Sequence, residues 1–245
     1  MGERPEFADR TVRPLDRRQA LSQNQRHLLE ANEVGVQLAR WARRSDPPDQ
    51  FGVRSWRNEV SHRFADGGGK SCWLRPDAVV RYDAVHPDGV TFARFFVELD
   101  RHTETAQDLG GKLANYCRLY RYVPRGASEA GWRRAYTEFP YVLVVLSGEQ
   151  RGDLGRWRDT LVAFCRTDHV LSVETEVQIR LVRLTDLATA GPYARVFLNP
   201  LARDPGRPVD ADGAPRFVDA WTDMFGAAEP APAPDQDDLE ALYAS

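Results

Sequence analysis

Residues 72–100 read CWLRPDAVVRYDAVHPDGVTFARFFVELD. The run from Cys72 to Asp83 is apolar and β-branched in its middle, and Val90 to Asp100 is a second such run. Between them, His86-Pro87-Asp88-Gly89 carries turn chemistry, because Pro presets φ and Gly accepts positive φ. The stretch therefore predicts a β-hairpin. Asp77 and Glu98 lie equally far from the turn's midpoint, so they should face each other across the pair. Glu98 and Asp100 are two apart and share a face. Three carboxylates, Asp77, Glu98 and Asp100, are thus expected at one end of one sheet.

Working outward, Leu21 to Arg44 has helical periodicity, with Leu28, Ala31, Gly35, Leu38 and Trp41 as its apolar stripe. Asp46-Pro47-Pro48-Asp49 ends it. A short helix is expected at 55–65, capped by Ser55, with Trp56, Val60 and Phe64 on one face. On the other side of the hairpin, Thr103 is expected to cap a helix running to about Val123. Its stripe is Leu109, Leu113, Tyr116, Cys117 and Tyr120, and it contains Gly110 and Gly111. Each glycine costs about 1 kcal/mol relative to Ala, and close approach of another element would explain keeping them.

Phe139 to Leu146, FPYVLVVL, reads as a central strand buried on both faces. A helix at 151–166, a strand at 177–184 and a short helix at 216–225 complete the elements. This order predicts an α/β fold, a mixed central β-sheet flanked by helices. The expected organisation is an irregular arm over 1–20, an α/β domain over 21–200, a loop and short helix over 201–226, and a disordered acidic Ala/Pro tail over 227–245.

The 245 residues carry 33 basic and 36 acidic side chains, a formal charge of −3. Five of those acids and none of the bases lie after Phe225, so the body is mildly basic. That balance is compatible with DNA contact without arguing for it. No apolar run approaches the roughly 18–20 residues of a membrane span, and the polar N-terminus is no secretory signal; a cytoplasmic, membrane-free protein is expected. Cys72, Cys117 and Cys165 are scattered and odd in number, which argues against a zinc site or disulfide framework. Of the 33 cations only Lys70 and Lys112 are lysine. A compact ammonium kept in an arginine-rich chain points to work that a guanidinium does poorly.

Lys112 lies two turns into the helix after the acids. Three neighbouring carboxylates repel one another and raise each other's pKa. A hard cation, Mg2+ or Mn2+, removes that conflict, because it prefers carboxylate oxygens. Such an ion polarises a phosphodiester and lowers the pKa of its water, and a lysine beside it can steady charge on the phosphate. Plainer readings stand beside this one. Glu98 and Asp100 can pair with Arg94 and Arg81, Lys112 with Asp108, and Tyr116 can be core. Glu33, Glu59 and His102 are possible accessory groups. Gly67-Gly68-Gly69-Lys70-Ser71 is no phosphate loop, because position 64 is Phe64 and a strand, not a helix, follows. The clusters Arg40/Arg43/Arg44 and Arg54/Arg57/Arg63 can track a phosphate backbone.

Pro76-Asp77 on one strand and Glu98-Leu99-Asp100 on the next resemble the PD-(D/E)xK restriction-endonuclease-like superfamily. The lysine usual in its E-x-K element is Asp100 here, and Lys112 on the following helix would take that role. A narrower resemblance rests on Leu74-Arg75-Pro76-Asp77-Ala78, Phe96-Val97-Glu98-Leu99-Asp100-Arg101, Thr103-Glu104, and Leu109, Lys112, Leu113 and Tyr116. With His27-Leu28 and Asn32-Glu33-Val34, these are similar to the replication-relaxation family of actinobacterial plasmid and mobile-element proteins, over roughly residues 26–200. The resemblance implies a restriction-endonuclease-like fold and a Mg2+-dependent DNA nuclease. Its metal would be held by Asp77, Glu98 and Asp100, with Lys112 at the reacting phosphate. A catalytically inactive DNA-binding or assembly factor is the alternative. Family members often carry a winged helix ahead of this region, for which about 25 residues are too few here. A homodimer or a protein partner supplying DNA targeting is therefore expected.

Overall fold

The computed structural model describes residues 14–58, 60–66, 68–101, 104–148, 154–210 and 212–226. In chain order these form α1 (Pro14–Arg44), β1 (Trp56–Arg57), β2 (His62–Ala65), β3 (Ser71–Leu74), β4 (Ala78–His86) and β5 (Gly89–Asp100). Then follow α2 (Ala106–Arg121), β6 (Tyr141–Leu146), α3 (Leu154–Thr167), β7 (Ile179–Arg183), α4 (Leu184–Ala190), β8 (Phe197–Asn199) and β9 (Ala220–Thr222). Seven strands make one mixed sheet in the order β1-β4-β5-β6-β7-β8-β9. β5, β6 and β7 run parallel, and the other neighbours are antiparallel. α2 and α3 cover one face and α1 and α4 the other. The expected α/β architecture with a helix-flanked mixed sheet is what the chain adopts.

The hairpin has the register read from its turn. Ala78 pairs with Val97 and His86 with Gly89, and the backbone N–H of Asp77 donates to Val97 O at 3.0 Å. Asp77 and Glu98 therefore close the β4–β5 end of the ladder. FPYVLVVL supplies β6 at the sheet's centre, where Val142 to Leu146 are buried on alternating faces.

Several local expectations fail. The first helix begins at Pro14, inside the segment expected to be irregular; Pro suits a first helical turn, whose N–H groups have no partner anyway. Its buried stripe is Ala31, Val34, Leu38 and Ala42, with Leu28 exposed. Among the described residues of 55–65 no α-helix forms; a 3-10 turn ends at Ser55, and β1 and β2 follow. Trp56, Val60 and Phe64 are four apart, a spacing that also satisfies a period of two, and the glycine turn lets β2 fold back on β3. Cys72–Asp83 is split by Pro76 into β3 and β4, which lie in different sheets. Within 216–225, Ala220–Thr222 pair as β9 along β8 rather than coiling, so sheet completion overrides a weak helical pattern. Thr105, not Thr103, caps α2, and Asp108 answers it in a reciprocal capping box. Thr103, His102, Glu59 and the tail over 227–245 lie outside the described residues.

The two glycines of α2 behave differently. A Cβ on Gly110 would fall 2.1 Å from Phe164 Cδ1, whereas one on Gly111 meets nothing within 4 Å. Gly110 thus lets α2 approach α3. Gly110→Ala should destabilise by about 1–3 kcal/mol through overpacking. Gly111→Ala should stabilise by up to about 1 kcal/mol. Urea denaturation of both variants checks the opposite signs, and a stabilised Gly110→Ala would refute the close contact.

His62 on β2 is buried, its ring 5.0 Å from that of Phe96 and its Nε2 3.3 Å from the Tyr136 hydroxyl. Burial lowers its pKa from the ordinary 6.5. The unfolded ring therefore takes a proton first as pH falls. The neutral ring's full stability holds above 6.5 and is lost as pH drops through the lowered native value. His62→Gln should flatten the decline of Tm between about pH 7 and 5 by removing this proton linkage; parallel wild-type and variant profiles would contradict it.

One carboxylate ties the far side of the sheet together. Asp49, just after α1, accepts from Tyr82 Oη at 2.7 Å, Tyr193 Oη at 2.6 Å, Ser45 Oγ at 2.8 Å and Val85 N at 2.8 Å. It joins α1, β4 and the loop before β8.

Candidate functional site

The site forms where β4, β5, α1 and α2 meet. β5 carries Glu98 to its C-terminal end, on the face shared with Phe96 and covered by α2. Glu98 is 1% exposed. Two residues one turn apart on α2 reach it: the Lys112 ammonium forms an ion pair with Oε2, and the Tyr116 hydroxyl donates to Oε1. The one-turn spacing of 112 and 116 on a helix lying over the strand makes this two-point grip possible. The lysine does not pair with Asp108, which is engaged with Thr105 in the cap.

Asp77 sits across the register. Its Oδ2 accepts from Leu99 N at 2.8 Å, and its Oδ1 is 2.9 Å from Nε2 of His27, which α1 supplies. Burial pushes the Asp77 pKa up, but the His27 contact, the Leu99 N–H and the Lys112 charge outweigh it and hold the carboxyl below its ordinary range. His27 is raised in return, chiefly by its bond to Asp77. Glu98 is raised to about 7, by burial first and then by the Asp77 charge, with Lys112 pulling against both. Burial pulls the Lys112 pKa down, but the Glu98 and Asp77 charges outweigh it and leave it raised.

Asp100 lies two residues on along the same face, buried at the strand end, and its carbonyl accepts from Ser147 N at 2.8 Å. Glu33 is exposed on α1 and accepts from Gln37 Nε2 at 2.6 Å, away from this cluster. Arg81 and Arg94 both pair with Asp83, not with Glu98 or Asp100.

Glu30 and Ser147 were not singled out in the sequence, and His27 entered only through the family resemblance, with no role at the site. His27 holds Asp77, and Glu30, one turn later, accepts from Arg101 Nε at 3.1 Å and from the Ser147 hydroxyl. Ser147 follows β6. The signal was the continuation of the buried α1 stripe: residues 27, 30, 34 and 38 recur at three and four, and the first two are polar. A polar pair extending an apolar stripe predicts a partner at the end of the sheet.

Among the described residues, no three His, Cys, Asp or Glu side chains gather as a metal-ligand group. Asp77 and Glu98 nonetheless suit Mg2+ in chemistry. That ion takes hard oxygens, and at phosphoryl sites it commonly uses one or two carboxylates with water and phosphate completing its shell. Burial is what chiefly raises Glu98, and the smaller repulsion from Asp77 that adds to it is what a divalent cation would relieve. No helix among the described residues is long and apolar enough to cross a membrane.

No curated protein and no solved structure matches the chain. The model of the replication-relaxation family matches residues 5–130, just over half of its length. The match takes in α1, the β4–β5 hairpin and α2, hence Asp77, Glu98 and Lys112 with their partners. It ends before β6, earlier than the residues 26–200 read from the motifs. The chain belongs to the replication-relaxation family.

Proposed function

We propose that this protein processes plasmid or mobile-element DNA, as its family membership suggests, by hydrolysing phosphodiester bonds at the Asp77–Glu98–Lys112 site. The observation that carries this reading is the convergence of Lys112, one of two lysines, on the buried Glu98, with Asp77 facing Glu98 across the register. The restriction-endonuclease-like assignment rests on the same arrangement: acids at the end of a β-hairpin whose second strand runs parallel to the sheet's centre.

Asp77 and Glu98, with Asp100 beside them, are the residues that would hold Mg2+ or Mn2+. When bound, the ion supplies charge neutralisation at the phosphate and a more acidic water. Tyr116 orients Glu98, and His27 with Leu99 N–H orients Asp77. Lys112, paired with Glu98, would stabilise negative charge developing on a phosphate held at the acids.

A second reading keeps the fold as a DNA-binding or assembly scaffold without hydrolysis. It is favoured by the saturation of the acids: both oxygens of Asp77 and both of Glu98 already have protein partners. Purified protein with supercoiled, linear and single-stranded DNA in Mg2+, Mn2+ or EDTA separates the two. Metal-dependent cutting, lost in Asp77→Ala and Lys112→Ala, supports the enzyme. DNA retention without cutting in any metal sinks it and leaves the scaffold.

A further inference from the structure

The β2–β3 hairpin stands outside the main sheet, and only one of its faces is used by the core. His62, Phe64 and Leu74 turn inward, with Phe64 and Leu74 in the core beneath α2. The outward residues are Ser61, Arg63 and Ala65 on one side and Ser71, Trp73 and Arg75 on the other, with Arg63 opposite Trp73 in the register. Trp73 is 68% exposed. An exposed indole offers a flat π-face for stacking, and here it stands between two arginines rather than alone.

The surroundings specify the partner. Arg63 Nε donates to Ser71 Oγ at 2.9 Å and Arg75 Nε to Ser61 Oγ at 3.1 Å, which lays both guanidinium groups along the strands beside the indole. Among the described residues neither arginine has a carboxylate partner. Lys70 is exposed at the turn, and the turn's own acid, Asp66, is occupied: its Oδ1 accepts from Gly68 N at 3.0 Å and Lys70 N at 2.8 Å. A cleft of about 260 Å3 continues the surface, lined by Ser61, Arg63, Trp132 and Arg134 among others. Arg133 lies over the Trp132 ring at 4.6 Å. Arg63, Arg75, Lys70 and Arg134 around the exposed Trp73 ring form a local positive face, with Trp132 buried beneath it. A nucleic-acid strand offers what that face lacks: phosphates at regular spacing and flat π-faces between them.

We propose that the outer face of the β2–β3 hairpin binds a single DNA strand, stacking an unpaired base on Trp73 with its phosphates against Arg63 and Arg75. Paired bases hide their π-faces, so stacking selects unpaired DNA over duplex. The direction of the chain adds to the argument. Trp73 is four residues before Asp77. On the inner side, the His62 ring meets Phe96 at 5.0 Å and Phe96 meets Tyr116 at 5.3 Å, and Tyr116 bonds Glu98. The inner face of the hairpin thus packs on the element that holds Glu98, while its outer face stays open. The inference deepens the DNA-processing reading and rests on it for the choice of DNA.

The test is fluorescence anisotropy with the full chain in EDTA, using labelled oligo-dT and a duplex of equal length. Trp73→Ala should weaken oligo-dT binding about tenfold or more, with little change for the duplex, and Trp73→Phe should restore most of it. Arg63→Ala/Arg75→Ala should lower the slope of log affinity against log salt by about 1.4, two phosphate contacts on a single strand. Unchanged oligo-dT affinity in Trp73→Ala overturns the proposal, as does equal loss on both DNAs or a wild type that binds neither. Binding in EDTA is read apart from cutting in Mg2+. A wild type that binds through Trp73 and never cuts therefore fails the nuclease reading alone.

Discussion

Lys112→Met should reduce cleavage at least about 100-fold and destabilise the native protein by about 3 kcal/mol at neutral pH. The two effects have one origin. Glu98 is buried, and its charge is compensated by one ammonium and one hydroxyl. Methionine fills the aliphatic space of Lys112 and removes the cation, which leaves the carboxylate with Tyr116 alone. Breaking a buried pair from one side is costly because the surviving carboxyl, its pKa pushed above about 7 once Lys112 is gone, must bind a proton in a site built for the pair, whereas removing both partners is often nearly neutral. Glu98→Gln/Lys112→Met should therefore be more stable than Lys112→Met, while both stay inactive. Additive destabilisation in this double-mutant cycle would show that the two side chains do not interact as described.

Asp49→Ala should cost about 4 kcal/mol and lower Tm by roughly 10 °C for a chain of this size. The carboxylate accepts from Tyr82, Tyr193, Ser45 and the Val85 N–H. Alanine leaves the buried Tyr82 hydroxyl and the part-buried Val85 N–H and Tyr193 hydroxyl without this acceptor, while Ser45 Oγ keeps Trp41 O at 3.1 Å, and each unpaired buried donor costs about 1–3 kcal/mol. Some of that is regained where Tyr193, which is half-buried, turns to solvent. Asp49→Asn should fall between the two, because an amide oxygen still accepts but carries no charge. Thermal unfolding with both variants gives the ranking, and an Asp49→Ala Tm within two or three degrees of wild type would refute the staple.

The hairpin and its facing acids were legible because a short turn pins the register of two long strands. Once the turn is placed at residues 87–88, every pair from Ala78–Val97 to His86–Gly89 follows. Lys112 and Tyr116 were legible as one helix face, although which acid they grip was not. His27 and Glu30 stayed hidden because their partners, Asp77 and Arg101, are 50 and 71 residues away. A polar residue on a helix face looks solvated until the sheet end it meets is known. The errors at 55–65 and 216–225 share a cause. Both are short edge strands, stabilised by pairing with β4, β3 or β8 rather than by their own pattern. The α2 cap was two residues off, although Thr105-Ala106-Gln107-Asp108 carries the three-residue spacing of a capping box that Thr103 lacks.

The family match ends at residue 130, so it covers the acids, the lysine and the outer hairpin while β6 to β9 lie beyond it. The later strands bury the sheet's centre and give β5 a parallel neighbour on which its acidic end is fixed. We propose that Asp77 and Glu98, although each already has protein partners, act together as one cation site. Calorimetric titration of the wild type with Mn2+ tests this most directly, alongside Asp77→Asn and Glu98→Gln. One ion per chain, lost in both variants while each still unfolds cooperatively above the titration temperature, is the predicted result. No saturable binding by the wild type, or binding that survives both substitutions, would contradict it.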